Sequence, residues 1–296
     1  MLKTRIFVLI CLFFLPVSEK CHGNEDSSSL AVIQPGRPGS PRAAEGFLLR
    51  LADYLNTSTN LPKPALGYQN DPAEALKELD KHLPAVGIVS LGFYLEYADR
   101  FGMRPMLEAY PLEKYVLVAS EGTVTKAADL DGKVVMGGPL HEPKFVSRIL
   151  FPPKAKAAAA LAGWQGTGSW LPKPTTKVSS ALYQLSKKKV QAVLLHGKQY
   201  ESMKKLGRLK KVEKVIESEY YPPAVIVAFR GALKSTEAVS EEQHLLINAM
   251  EKISTVKKAR EIVQQMGCQG FRKIRPGWMG EIEKKYLFER GEKNEK

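Results

Sequence analysis

Three short stretches of this 296-residue chain place glycine, serine or histidine directly after an apolar run: Gly36 to Ser40, Ser90 to Gly92, and Gly137 to His141. Glycine allows close approach to the backbone, and a serine hydroxyl both donates and accepts hydrogen bonds. Where a helix begins after such a stretch, its first N–H groups are unpaired and its dipole presents a positive end, so an anion is held without a buried lysine. Gln34, Gly39, Ser40, Ser90, Leu91, Gly92, Gly137, Gly138 and His141 are therefore candidate ligand contacts, and His196, just past the apolar run 190–195, is another. Tyr94 and Tyr221 are candidate walls of the same site, with core packing as an equal rival. For the glycines and serines the plain alternative is that they make tight turns and helix caps.

His141 and His196 have no Cys, Asp or Glu cluster beside them at ligand spacing, so hydrogen bonding is expected of them, and neither a metal nor a cofactor is. The sequence holds no G-x-S-x-G elbow, no phosphate loop ending in G-K-[ST] and no H-E-x-x-H pair. Binding without catalysis is the expectation.

The elements that must position these residues alternate along the chain. Residues 30–33 read as a short buried strand, and 44–55 as a helix with Ala44, Phe47, Leu48, Leu51, Ala52 and Leu55 on one face. Pro72 opens a second helix. Residues 85–89 form another strand that runs through Ser90-Leu91-Gly92 into a helix with Tyr94, Leu95 and Ala98 on its apolar side. Further strands are predicted at 115–119, 133–136, 190–195, 212–216 and 224–229, with helices at 124–130, 143–151, 179–187, 198–206 and from 237 onward. Residues 152–174, with Trp164, Trp170 and four prolines, read as an irregular excursion. Strands alternating with helices predict an α/β protein with mostly parallel sheets covered on both faces.

At the N-terminus Lys3 and Arg5 precede an apolar run from Ile6 to Leu15, closed by Pro16 and a more polar stretch to Gly23. These are the three parts of a signal peptide, so export to the periplasm with removal of residues 1–23 is expected. A lipid anchor on Cys21 is the competing reading; Glu19 and Lys20 stand where a lipobox wants small or apolar residues. Only Cys268 then remains of the three cysteines, read as a small buried hydrophobe. About 270 remaining residues suit two domains. The net charge of +13 falls to +11 without the leader, which carries three basic residues and one acidic. Much of the excess is local: Lys187 to Lys214 holds ten Lys or Arg against Glu201 and Glu213. A solvated face, anionic lipid or an acidic partner are the readings of that segment. Nucleic acid is not expected, because the chain reads as exported and Tyr200 alone does not make the stacking platform that single-strand binding requires.

The order of pieces resembles the phosphate/phosphonate-type substrate-binding proteins of ABC transporters, within the class II periplasmic binding proteins. Leu51-Ala52-Asp53-Tyr54-Leu55 matches the family's first helix, and Val86 to Gly92 with Tyr94 stands in place of its next strand and turn. Tyr115 to Val118, Gly122 and Leu130-Asp131-Gly132-Lys133-Val134 correspond to its crossing strand and "DLxGK" turn. Ala181 to Leu185 with Val190 to Val193, and Pro222 to Val227, are similar to its later blocks. The resemblance covers roughly Leu30 to Arg230. It implies a two-lobed, Venus-flytrap fold, with lobe 1 from 24–111 plus 224–296 and lobe 2 from 112–223. It further implies a monomer that captures a small, anionic solute between the lobes for a permease; a stand-alone periplasmic sensor or partner protein is the alternative. Three departures stand out. Gly137-Gly138-Pro139-Leu140-His141 replaces the family's serine-rich anion nest, Gln191 sits where an acidic residue is usual, and Thr176-Lys177-Val178 occupies the region of the family's histidine. Phosphonate is therefore expected to bind more weakly than in the family, and a carboxylate or a larger, partly apolar solute is preferred.

Overall fold

The computed structural model describes residues 29–125, 127–152, 170–230 and 239–288; the leader, Cys21, Trp164 and most of the proline-rich excursion lie outside the described residues. Two sheets carry the fold. The first is six-stranded, formed by β1 (Ser29–Ile33), β2 (Ala65–Gln69), β3 (Val86–Val89), β4 (Met103–Tyr110), β10 (Val225–Phe229) and β11 (Gly270–Lys273), in the order β11-β4-β10-β3-β1-β2. The second is five-stranded, formed by β5 (Tyr115–Ser120), β6 (Val134–Gly137), β7 (Leu171–Pro174), β8 (Ala192–His196) and β9 (Val212–Glu217), in the order β7-β6-β8-β5-β9.

Each sheet is mixed rather than mostly parallel. The runs β2-β1-β3 and β7-β6-β8 are parallel, because helices return the chain to the starting edge between successive strands. The reversed strands are β5, β10 and β11, and β5 and β10 are the two that the chain enters directly from the other sheet. A strand that arrives directly from the other sheet has no helix to turn it round, so it runs against its neighbours.

Local sequence explains the elements that matter for the site. Helix α1 (Pro41–Thr59) starts at Ser40, whose Oγ accepts the Ala43 N–H at 3.2 Å, and ends at Asn60 in the left-handed region with φ 59°. Phe47, Leu51 and Leu55 bury its inner face under the first sheet, each worth roughly 1.5–3 kcal/mol of hydrophobic stabilisation. Helix α2 (Pro72–Lys81) is capped by Asp71, which accepts from the Ala73 and Glu74 N–H groups. Helix α3 (Leu91–Phe101) follows β3 with Ser90 as its cap and Gly102 as its stop.

Past the second sheet's β6 the chain makes a short helical turn, α4 (Pro143–Phe145), that widens into a π turn, Val146–Leu150. Helices α5 (Val178–Ser186) and α6 (Gly197–Lys205) cover that sheet. Helices α7 (Glu241–Lys252), α8 (Lys257–Gln265) and α9 (Trp278–Phe288) return to the first. One apolar cluster is continuous across both sheets, from Ile33, Val89 and Phe229 through Tyr115 and Tyr221 to Leu194. The predicted helix 124–130 is only a 3₁₀ turn, Ala127–Leu130, and the stretch from 237 onward is broken by β11. Cys268 is buried and its thiol is pushed up to about 11 by that burial, so it is held as the unreactive thiol.

Candidate functional site

The three strand-to-helix junctions meet where the two sheets face each other. After β1, the Gly36 N–H donates to Asn70 O at 3.1 Å, and the Asn70 side-chain amide donates to Arg37 O at 3.1 Å and Gly39 O at 2.8 Å. This pins the loop to the end of β2 in the first sheet. Gly36 has φ +72°, and a Cβ there would stand 1.9 Å from Gly138 O; a Cβ on Gly138 would stand 2.4 Å from Gly36 O. Backbone therefore touches backbone across the seam. Gly36→Ala is expected to force the seam apart while leaving both sheets folded, read as an increased radius of gyration in small-angle scattering; an unchanged radius would contradict it.

Pinning the loop directs Arg37 inward. Its side chain is only 15% exposed and its Nη2 donates to Glu113 Oε1. Glu113 lies between β4 and β5, where its N–H donates to Tyr221 O at 2.8 Å and the Tyr221 N–H returns to Glu113 O at 3.0 Å, tying the two crossing segments together. His196, the last residue of β8, brings its Nδ1 to 3.3 Å from Glu113 Oε1, close enough for charge contact but out of line for a hydrogen bond. Its ring packs 5.1 Å from that of Tyr115.

Burial alone would raise the Glu113 carboxyl, but the Arg37 guanidinium and His196 outweigh it and hold it at about 2. Burial and Arg37 push His196 down to about 4, against the pull of Glu113, so the imidazole is neutral at pH 7. Among the described residues, Glu113 Oε2 and both His196 ring nitrogens have no hydrogen-bond partner.

A second carboxylate takes the start of α3. Ser90 Oγ accepts the Phe93 N–H at 3.1 Å and donates to Glu142 Oε1, and a Cβ on Gly92 would lie 2.8 Å from the Glu142 carboxyl. Gly92 is what lets that carboxyl approach. Burial lifts Glu142 to about 7, despite Ser90, the Phe93 N–H and Arg37, which all favour the charge. A helix start that could hold a foreign anion is here occupied by the chain's own acid.

Beside Arg37 an open cavity of about 340 Å³ remains, bordered by Gln34, Gly39, Ser40, Tyr68 and, from the second sheet's side, Gln199. A wider one of about 660 Å³ adjoins it, between Pro38–Gly39 and the starts of α5 and α6 with Lys177 and Lys198. Both volumes fall in the range of small-molecule sites.

Gln34, Gly39 and Ser40 thus line one cavity, while Ser90, Gly92 and Gly138 form the closed contact next to it. Gly137 packs on the Leu194 backbone, where a Cβ would fall 2.1 Å from its O. Leu91 is core. Tyr94 turns away: its OH donates to Glu283 on α9. Tyr221 is buried against Phe145, its OH donating to Ile149 O at 3.2 Å. His141 is half-buried, its Nε2 has no hydrogen-bond partner among the described residues, and burial lowers its pKa. Sequence reasoning missed Arg37, Glu113 and Glu142; an arginine between two Pro-Gly steps at a strand end was the available signal for the first.

No family model matches the chain, and no curated protein does. Solved structures do. A binding-protein component of an ABC phosphonate transporter from Pseudomonas aeruginosa matches at a TM-score of 0.65 and 12% identity, over 89% of this chain and 87% of that one. A Xanthomonas citri protein bound to ATP matches at 0.66 and 12%, over 90% and 99%. The PhnD1 protein of Prochlorococcus marinus, in complex with methylphosphonate, matches at 0.62 and 12%, over 90% and 98%. At such identity the likeness is one of fold. The chain has the two-sheet α/β fold of the type II periplasmic binding proteins, and in that fold it resembles the phosphonate-type binding components of ABC transporters.

Proposed function

We propose that this chain is an exported solute-binding protein that captures a small anionic solute between two lobes, residues 24–111 plus 224–296 and residues 112–223, for an ABC-type transporter. Arg37 is the observation that carries the reading. A nearly buried guanidinium, delivered to the seam by the β1–α1 junction, borders an open cavity of about 340 Å³ at the start of α1. One of its N–H groups is spent on Glu113, and a guanidinium has five to offer. A carboxylate entering beside Ser40 meets Arg37 and the positive end of the α1 dipole, each charge-assisted hydrogen bond contributing about 1.5–3 kcal/mol.

Because Glu142 fills the start of α3, a monoanion suits the site better than a dianion that would need both junctions. Monocarboxylates therefore rank above phosphate and methylphosphonate. The protein acts as a periplasmic monomer and performs no chemistry on the solute.

Thermal-shift screening with phosphate, methylphosphonate and a panel of mono- and dicarboxylates tests this. A solute that binds only the folded state adds about 2.7 kcal/mol at a hundredfold excess over its Kd. At least one monocarboxylate is expected to raise the midpoint more than either phosphorus anion; a panel without effect, or one led by phosphonate, would count against the reading.

A further inference from the structure

The basic segment gathers at one end of the second sheet. β8 begins at Ala192 opposite Ala119, and β9 begins at Val212 opposite Ser120, so the connections 187–191 and 206–211 emerge side by side. Helices α5 and α6 both end there. The seam lies at the opposite end, where His196 pairs with Tyr115. Lys187, Lys188, Lys189, Lys204, Lys205, Arg208, Lys210 and Lys211 are all exposed. Among the described residues none of the eight forms an ion pair. Carboxylates share this end: Glu121, Asp129, Asp131 and Glu213, of which Asp129 accepts from Thr125 and Glu213 from the Gly122 N–H. Among the described residues, with Lys133 counted, this end keeps an excess of five positive charges.

Two helix C-termini attract cations, but that effect fades within the last turn and accounts for one or two lysines each. Two large apolar side chains sit among the charges: Leu206 is 66% exposed and Tyr183 60% exposed, with Lys187 Nζ 5.7 Å from the Tyr183 ring centroid.

We propose that this end docks on an anionic phospholipid bilayer. Seven of the eight cations are lysines. Protein interfaces are depleted in lysine and enriched in arginine, whereas lysine point charges on flexible stems suit a diffuse layer of lipid phosphates. An isolated leucine and tyrosine are the side chains that settle into a headgroup region. Docked this way, the seam and its cavities point away from the lipid and stay open to solute.

Co-sedimentation of the full chain with vesicles of neutral phosphatidylcholine, or containing roughly 30% phosphatidylglycerol, tests the proposal. Expected is at least about tenfold stronger partition onto the anionic vesicles at about 50 mM salt, lost at about 500 mM. The N-terminal apolar run also favours membranes, so the deciding comparison keeps it intact. The combined change Lys188→Glu, Lys189→Glu, Lys205→Glu and Lys211→Glu is expected to abolish the anionic preference without changing thermal stability. Lys257→Glu with Lys258→Glu, exposed on α8, is expected to preserve it. Equal partition of wild type and the four-site variant, or no preference for anionic vesicles in wild type, overturns the proposal and leaves a solvated face or an acidic protein partner as the readings of this end.

Discussion

Replacing Glu113 by alanine is expected to lower stability by about 3 kcal/mol in chemical denaturation at pH 7. Removing one member of a buried ion pair leaves the other charged and unpaired, which typically costs about 3–5 kcal/mol. The lower figure applies because Arg37 borders a cavity and can turn toward water. His196 does not replace the lost partner, since it is neutral and donates no compensating negative charge. Combining Glu113→Ala with Arg37→Met is expected to recover most of the loss, because the pair's desolvation is then removed with its attraction. A double variant as unstable as the sum of the singles would mean that the two side chains do not act as a pair.

The second large effect belongs to Glu142 and depends on pH. Its folded pKa of about 7 lies above the ordinary carboxyl value of 4.5, so the closed seam favours the protonated form. That stabilisation is full below about pH 4.5 and is lost as pH rises through about 7. His196 works in the opposite sense. Its folded value of about 4 lies below 6.5, so its contribution is present above about pH 6.5 and lost as pH falls toward 4. Between those limits the two slopes nearly cancel, and wild-type stability is expected to be almost flat from about pH 4.5 to 6.5. Below that, Glu113, held at about 2, adds a further loss as it protonates.

Glu142→Gln removes one of the two slopes while keeping a side-chain oxygen for Ser90. The groups around it are Arg37 on the β1–α1 loop, Tyr97 and Glu96 on α3, Tyr115 on β5, and its neighbours His141 and Lys144. The variant should match wild type near pH 4.5 and exceed it by roughly 3 kcal/mol at pH 8, since each tenfold change in proton affinity between the folded and unfolded chain is worth about 1.36 kcal/mol. A constant difference between pH 5 and pH 8 would show that Glu142 does not titrate in the closed seam.

Much of the fold was legible because its central strands are fully apolar. Val86–Val89 and Val225–Phe229 are buried at every position, as strands covered on both faces must be. β4 was hidden by its own composition. Pro105 sits opposite the bulge between Ile226 and Val227, where a missing N–H is tolerated, and Glu108 is fully buried under Arg272 and Arg275. Neither residue announces a strand. β2 and β7 lie at sheet edges without an apolar run, β2 directly after Pro64 and β7 containing Pro172 and Pro174, and β11 is short and half exposed.

The site was legible at its glycines and serines and not at its charges. Backbone approach follows from local sequence, so the junctions at Gly36, Ser90 and Gly138 could be named. The partnerships of Arg37 with Glu113 and Ser90 with Glu142 span 76 and 52 residues, and only the packing of one sheet against the other creates them. Tyr94 illustrates the converse: its position after β3 suggested a cleft wall, but the helical turn carries its ring toward α9.

Arg37 as the anion contact is the central claim, and its substitution tests that claim most directly. Calorimetric titration of the tightest acid from the panel should give a Kd at least about 100-fold weaker for Arg37→Met, equivalent to the loss of about 3 kcal/mol of charge-assisted hydrogen bonding. Arg37→Lys, which keeps the charge but not the fork, should fall between. Equal affinity in wild type and Arg37→Met would contradict the claim, because a solute indifferent to Arg37 is not bound in this cavity.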